Sequence, residues 1–328
     1  MNKYLIKAVQ IDVNGLCNAK CWFCPVAYVG NPKEAIKDMS LSDLENILKQ
    51  LQEGKGIFVD PSLNIVYTAN YNEVLLYKNF EGMLDLYRKY NFKINILSNG
   101  IALTKSKVDL LVKNIDIINE VLLNIPSGNE QRWSEYTNMN QSLFKKVVAN
   151  VNYAFKNLNT QFRIMVNGLD DRSITENGGW VDLLENTPKL NLSIEDGSLK
   201  AEILELQELF PGVNIFENYH LYDRAGHLED LKILSQSKAI NKYLSNPDLK
   251  VIGCNGGIGV RDRTREWIHI NPNGDLFICC NDYDFKTIYG NTNKATLEDI
   301  WNSKNRLEMI NKSYSDLCTR CSAAVWGK

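Results

Sequence analysis

No stretch of about eighteen apolar residues occurs in this chain of 328 residues, so no segment reads as a membrane span. The opening stretch, MNKYLIKAVQIDVNG, lacks the apolar run of a signal peptide. No basic block stands out and the formal net charge is only −2, which argues against nucleic acid as a partner. Internal repeats and low-complexity segments are missing too. A cytoplasmic protein is expected, with neither membrane nor nucleic acid among its partners. Cysteine is absent between Cys24 and Cys254, although the chain has eight. Cys17, Cys21 and Cys24 lie together near the start, and Cys254, Cys279, Cys280, Cys318 and Cys321 in the last quarter. A reducing compartment disfavours disulfides, and two groups of thiols suggest two metal sites.

What is present is a core-forming composition, 44% apolar, and a regular alternation of strand and helix patterns. Lys7 to Val13 alternates apolar with polar and reads as a strand. Ser42-Asp43-Leu44-Glu45 reads as a capping box, followed by Leu44, Ile47, Leu48 and Leu51 at helical spacing up to Gly54. Strand-like runs follow at Leu63 to Thr68, Lys93 to Leu97, Val121 to Ile125 and Phe162 to Asn167. Helical ones lie at Phe80 to Tyr90, Val108 to Val112 and Gln141 to Leu158. Weaker signals run from Leu190 to Tyr219. Such alternation predicts an α/β fold, a parallel sheet with crossover helices forming a partial (β/α)6 TIM-like barrel over residues 1–235. From about Val251, short strands, glycines and cysteines predict a small α+β domain over 250–328. Ligands of such sheets sit at the carboxyl ends of the strands, where the first three cysteines fall.

Cys17-Asn18-Ala19-Lys20-Cys21-Trp22-Phe23-Cys24 is a C-x3-C-x2-C segment. Three thiolates on one loop can hold three irons of a cubane and leave the fourth open; the competing explanation is a zinc loop, which favours four ligands and C-x2-C pairs. The segment, with Phe23 before the third cysteine, resembles the signature of the radical S-adenosylmethionine (SAM) superfamily. That resemblance implies a 4Fe–4S cluster on Cys17, Cys21 and Cys24, SAM chelated to its open iron, Phe23 near the adenine, and reductive cleavage to a 5′-deoxyadenosyl radical. Asn72-Glu73-Val74-Leu75-Leu76 sits where the family often has Gly-Gly-Glu-Pro; Glu73 matches, while Tyr71, Asn72 and Val74 replace the glycines and proline. By resemblance Glu73 accepts from the SAM amino group. Ser98-Asn99-Gly100 resembles the family's Thr-Asn-Gly, and is also an ordinary turn signal. Position alone puts Ser127 near the ribose and Asn167 near the adenine. In Tyr222-Asp223-Arg224-Ala225-Gly226-His227, Arg224 suits a carboxylate and His227 a proton acceptor; a surface loop accounts for them nearly as well.

The later cysteines include a hairpin signal, Asn273-Gly274, leading to Cys279. Cys254, Cys279, Cys318 and Cys321 supply four thiolates, enough to ligate a second cluster fully. The Gly-x4-Cys pattern, Tyr289-Gly290-Asn291 and Leu297-Glu298-Asp299-Ile300-Trp301-Asn302 resemble the SPASM extension or its shorter twitch form. The resemblance implies one auxiliary 4Fe–4S cluster, and a zinc ribbon is the alternative. Cys280, adjacent to Cys279, is left as buried packing or as a hydrogen-atom donor.

The function implied is hydrogen-atom abstraction from a small polar substrate such as a sugar, an aminocyclitol or a nucleotide-like alcohol, with oxidation or epimerisation. The electron would come from a reductant such as flavodoxin or ferredoxin. The alternatives are modification of a peptide and, last, a non-enzymatic electron carrier.

Overall fold

The computed structural model describes residues 4–68, 70–158, 161–167, 199–218, 224–231, 245–255, 260–321 and 323–328. Tyr222, Asp223, the region of the expected boundary near 235, and Gly256 and Gly257 lie outside these residues. Six strands pair in parallel and in chain order: β1 (Ala8–Ile11), β2 (Ile65–Tyr67), β3 (Lys93–Ser98), β4 (Ile118–Asn124), β5 (Phe162–Asn167) and β6 (Asn214–Asn218). This is the expected partial barrel. One face of each strand is apolar and meets the helices. Val9, Ile11, Val66, Ile94, Ile96, Val121, Leu123, Ile164 and Val166 all belong to one buried cluster. The other face carries polar residues such as Gln10, Asn95 and Asn124 toward the barrel interior, as alternation along a strand requires.

The helices follow from their own spacing. A short α1 (Val26–Val29) follows the cysteine loop. In α2 (Leu41–Glu53) the residues Leu44, Ile47, Leu48 and Leu51 are buried, each contributing about 1.5–3 kcal/mol relative to exposure. Its cap is Ser40, whose Oγ accepts from the Asp43 amide at 3.0 Å, so the helix starts earlier than the expected box at Ser42. Ser40 and Ser42 share one hydrogen bond, and Glu45 turns instead to Lys89. The next helices are α3 (Phe80–Lys89), α4 (Lys105–Lys113), α5 (Glu130–Thr137), α6 (Leu143–Leu158), α7 (Leu199–Leu209) and α8 (His227–Asp230). The sequence reading passes over α5, a short polar helix in which only Trp133, Tyr136 and Thr137, at helical spacing, are buried.

The C-terminal segment extends the barrel's sheet. Of its elements, β7 (Lys250–Cys254) pairs antiparallel with β11 (Ala324–Gly327), and among the described residues the two form a separate sheet. After α9 (Arg263–Glu266), β8 (Trp267–Ile270) pairs in parallel with β1, placing Gln10 opposite His269. The hairpin of β8 and β9 (Asp275–Phe277) turns at Gly274 as expected, and β10 (Ile288–Asn291) completes a nine-stranded sheet. Helices α10 (Leu297–Trp301) and α11 (Lys304–Ser315) pack beneath. Ile268, Ile270, Leu276, Ile300 and Trp301 share the barrel's core. Trp301 Nε1 donates to the Tyr4 carbonyl at 2.9 Å, and the Lys7–Glu266 ion pair closes at 2.8 Å. Barrel and extension are therefore packed through one continuous apolar interior. Among the described residues, no helix is long and apolar enough to cross a membrane.

Candidate functional site

The loop after β1 carries the first three cysteines and is stitched down by backbone hydrogen bonds. Asp12 N donates to the Ile270 carbonyl at 2.9 Å, Lys20 N to that of Thr137 at 2.9 Å, Trp22 N to that of Tyr136 at 3.0 Å, and Glu73 N to that of Leu16 at 2.8 Å. Helix α5 thus serves as the loop's anchor. The Cys17 sulfur accepts from the Ala19 amide at 3.5 Å and from Asn99 Nδ2 at 3.8 Å. Burial pushes the Cys17 thiol up to about 12 and raises Cys21 and Cys24 as well; the charges of Cys17 and Cys24 add to the rise at Cys21, whereas Arg224 opposes it at Cys24.

These thiols border a cavity of about 190 Å³. Phe23 and the residues at the carboxyl ends of successive strands also line it: Asn70 to Glu73 after β2, Ser98 and Asn99 at β3, Asn124 at β4, Asn167 at β5 and Asn218 at β6. Arg224, beyond β6, closes the ring and is the one cation among the described lining residues. Phe23 is buried and packs edge-on to Trp22, 5.7 Å between centroids. Asn167 accepts from Asn218 Nδ2 at 2.5 Å. Glu73 holds the turn after β3: its carboxylate accepts from Asn99 N at 2.8 Å, Ser98 Oγ at 3.1 Å and Leu75 N at 3.1 Å. Burial nevertheless pushes its carboxyl up to about 7. A carboxylate offers about four acceptor sites, so these three bonds leave about one for a ligand.

The structure does not bring every expected residue to this cavity. Ser127 is fully buried in the loop after β4, hydrogen-bonded to Asn129, and does not line it. His227 lines an adjoining crevice of about 350 Å³ that shares Arg224 with the cavity. Its ring lies 5.0 Å from that of Tyr283, and burial lowers its pKa below 6.5, which makes it a weaker proton acceptor than an ordinary histidine. Cys280 lies behind the lining, its sulfur 2.7 Å from Arg263 Nη1. A hydrogen bond from Cys279 pulls its thiol well below the usual range against the cost of burial, aided by Arg263 and Arg224. The Arg263 guanidinium thus gives this sulfur a polar partner as well as packing.

Cys254, Cys279, Cys318 and Cys321 are all buried. Asn281 ties two of them together, donating from its backbone to Cys279 at 3.4 Å and from Nδ2 to Cys321 at 3.5 Å. Burial raises Cys254 to about 12 and Cys318 still further, and in both the charge of Cys321 adds to the rise. Four soft donors in one buried place suit iron or zinc held by thiolates. Among the described residues, no three His, Cys, Asp or Glu side chains converge on a single ion position.

Two residues that the pattern did not single out stand between the thiol groups. Tyr71 packs with Val26, Tyr283 and Cys24, and its hydroxyl donates to the Cys280 carbonyl at 2.8 Å. Its outsized presence at a position the resemblance reserves for glycine was the available signal. Asp12, at the end of β1, is 5% exposed and accepts from Gln10 Nε2 at 3.3 Å; burial pushes its carboxyl up to about 7.

Comparison with known families then decides the class. The model of the radical SAM superfamily matches residues 11–177, and that of the SPASM iron–sulfur cluster-binding domain matches residues 262–322. The chain belongs to the radical SAM superfamily. Its cofactors are accordingly a 4Fe–4S cluster, SAM, and auxiliary iron–sulfur in the SPASM region, and the two thiol groups have the donor chemistry for both clusters. Among solved structures it is similar to BtrN in complex with AdoMet and 2-DOIA, at 17% identity over 98% of this chain and 94% of that one, with a TM-score of 0.56. It is likewise similar to Streptococcus suis SuiB bound to the precursor peptide SuiA, at 16% identity over 98% and 71% with a TM-score of 0.62. A third such structure is anSMEcpe with bound AdoMet, at 17% identity over 97% and 88% with a TM-score of 0.58. At these identities the likeness concerns the fold. No match was found among curated proteins.

Proposed function

We propose that this radical SAM enzyme acts on a small polar substrate, a sugar, aminocyclitol or nucleotide-like alcohol, which it oxidises or epimerises. The observation that carries this reading is the lining of the cavity beside the first thiol loop. It is rich in neutral amides, and two buried atoms there, Asn124 Oδ1 and Asn70 Nδ2, have no hydrogen-bond partner among the described residues. A buried acceptor and a buried donor left open are costly unless a ligand satisfies them. Hydroxyl and amino groups do so.

In this reading Cys17, Cys21 and Cys24 hold the SAM-binding cluster, and Cys254, Cys279, Cys318 and Cys321 a single auxiliary one. The first site, when loaded, supplies an electron from a flavodoxin or ferredoxin and the 5′-deoxyadenosyl radical that abstracts hydrogen. The chain's own part is positioning. With SAM bound, Phe23 would flank the adenine, Asn167 would hydrogen-bond to it, and Glu73 would offer its remaining acceptor site to the SAM ammonium. Asn99 and Ser98 fix that carboxylate, and Arg224 pairs with a carboxylate of SAM or substrate. Ser127, away from the cavity, supports the loop behind it. His227 and Cys280 stand at the border toward the extension; in this reading Cys280 supplies a hydrogen atom only if the outcome is epimerisation, and then in its protonated form.

A peptide substrate is the second reading. It is supported by the likeness to SuiB with its precursor peptide and by the charged crevice, which opens beside Arg224 and admits a longer ligand. The test is anaerobic incubation of reconstituted protein with SAM and dithionite, followed by mass spectrometry with candidate alcohols and peptides. We expect 5′-deoxyadenosine and a two-hydrogen mass loss, or an inverted centre, in an alcohol. Turnover of peptides alone would replace the first reading by the second. Absence of SAM cleavage would leave an electron carrier.

A further inference from the structure

Arg224 reaches the cavity from an unusual piece of backbone. Arg224, Ala225 and Gly226 all have positive φ, 58°, 54° and 82°. Only glycine adopts that region freely, and a run of such residues persists only where the surroundings hold it. The clamp that holds this run comes from the other end of the chain. Arg320, inside Cys318-Thr319-Arg320-Cys321, donates from Nη2 to the Gly226 carbonyl at 2.8 Å and grips Asp230 with both Nη atoms, at 2.9 and 2.8 Å. A Cβ on Gly226 would lie 2.3–2.4 Å from the Arg320 guanidinium, so a side chain there would push the guanidinium off its grip, while the positive φ is what favours glycine. Between the grips, α8 closes on the turn: His227 N donates to the Arg224 carbonyl at 3.2 Å and Asp230 N to that of Gly226 at 3.0 Å.

We propose that Arg320 is a positioning residue. By clamping Gly226 and Asp230 it holds the left-handed turn that delivers Arg224 to the cavity beside Cys24. The second thiol group is thereby coupled mechanically to the first site, since Arg320 can clamp only where the Cys318–Cys321 loop is formed. Asp230 is the other half of the device and lies far from any thiol in sequence. The second measurement below rests on the reading of Arg224 as an anion contact; the first does not.

The first measurement is hydrogen exchange of the Arg224–Leu231 amides in the reconstituted protein, with Arg320→Ala and Asp230→Asn as variants. Loss of a partly exposed bidentate pair should speed exchange there by roughly fivefold. The second is SAM affinity, titrated through the cluster's spectroscopic signal, in a double-mutant cycle with Arg224→Gln. SAM should bind roughly fivefold more weakly to Arg320→Ala, with no further loss when Arg320→Ala is added to Arg224→Gln. Unchanged exchange in both Arg320→Ala and Asp230→Asn overturns the proposal. So does an equal loss of affinity in both backgrounds, because Arg320 would then act on the whole molecule and not through Arg224. Faster exchange with SAM affinity indifferent even to Arg224→Gln upholds the clamp and removes the anion reading of Arg224.

Discussion

Replacing Asp12 by asparagine should stabilise the protein at alkaline pH and change little in acid. The side chain is buried at the end of β1, and burial is the main cause that lifts its carboxyl from 3.8 to about 7, with the nearby Cys280 adding to the rise. A rise of about 3 units corresponds to about 4 kcal/mol, at 1.36 kcal/mol per unit. The direction follows from proton binding. Below the unfolded value both states hold the proton and the group costs nothing. Between the two values the native state keeps its proton while the unfolded chain releases it, so stability falls as pH rises. Above about 7 the full cost is present. Asparagine never ionises, nearly matches the shape, and its Oδ1 still accepts from Gln10. The stability difference between Asp12→Asn and the parent should therefore grow from near zero at about pH 4 to roughly 4 kcal/mol above about pH 8. Thermal melts of anaerobic, reconstituted protein across that range would read it as a widening gap in Tm. A gap independent of pH, or a variant less stable than the parent in alkali, would refute the account of Asp12 as a carboxyl kept neutral by burial.

Replacing Cys17, Cys21 and Cys24 together by alanine should lower iron from about eight per chain to about four and abolish 5′-deoxyadenosine formation; iron analysis and chromatography check both, and persistent SAM cleavage would remove the ligand assignment. Cys280→Ser should keep SAM cleavage and product formation, whereas loss of product together with solvent deuterium at the attacked carbon of the wild-type product would make the thiol a hydrogen-atom donor. Tyr71→Gly, which restores the family's usual residue, should cost roughly 3–5 kcal/mol as a buried aromatic deletion, seen in melts, because here the ring fills the junction of barrel and extension. Tyr71→Phe should cost only about 1–3 kcal/mol, the burden of an orphaned carbonyl.

The legible part of this protein is whatever local spacing controls. C-x3-C-x2-C announced the first thiol loop, and alternation placed the strands whose last residues, Ser98 and Asn167 among them, line the cavity. Helix periodicity gave α2 and α6 nearly to their ends. A cap one turn-step away escaped it: Ser40 and Ser42 are both good cap residues, and only the backbone decides that Ser40 accepts from Asp43. Ser127 shows a related limit. A position after a strand says which end of the sheet a residue occupies, not whether its side chain points into the mouth or back into the loop.

Long-range pairing was not legible, because it leaves no mark on either partner's neighbourhood. The β8 strand beside β1 looks like any short strand, yet Ala8 meets Trp267 across more than two hundred and fifty residues and merges the extension with the barrel. Arg320 illustrates the same limit at the level of single side chains. In the sequence it is a spacer between two cysteines, while Arg224 sits in what resembles a surface loop. The tie between them depends on three successive positive φ values, a conformation that neither arginine nor alanine advertises. Gly226 was the one local sign that the chain turns left-handed there. Its meaning needed the guanidinium lying where a Cβ would be. A residue chosen for what it leaves empty is legible only when the occupant of that space, ninety-four positions away, is in view.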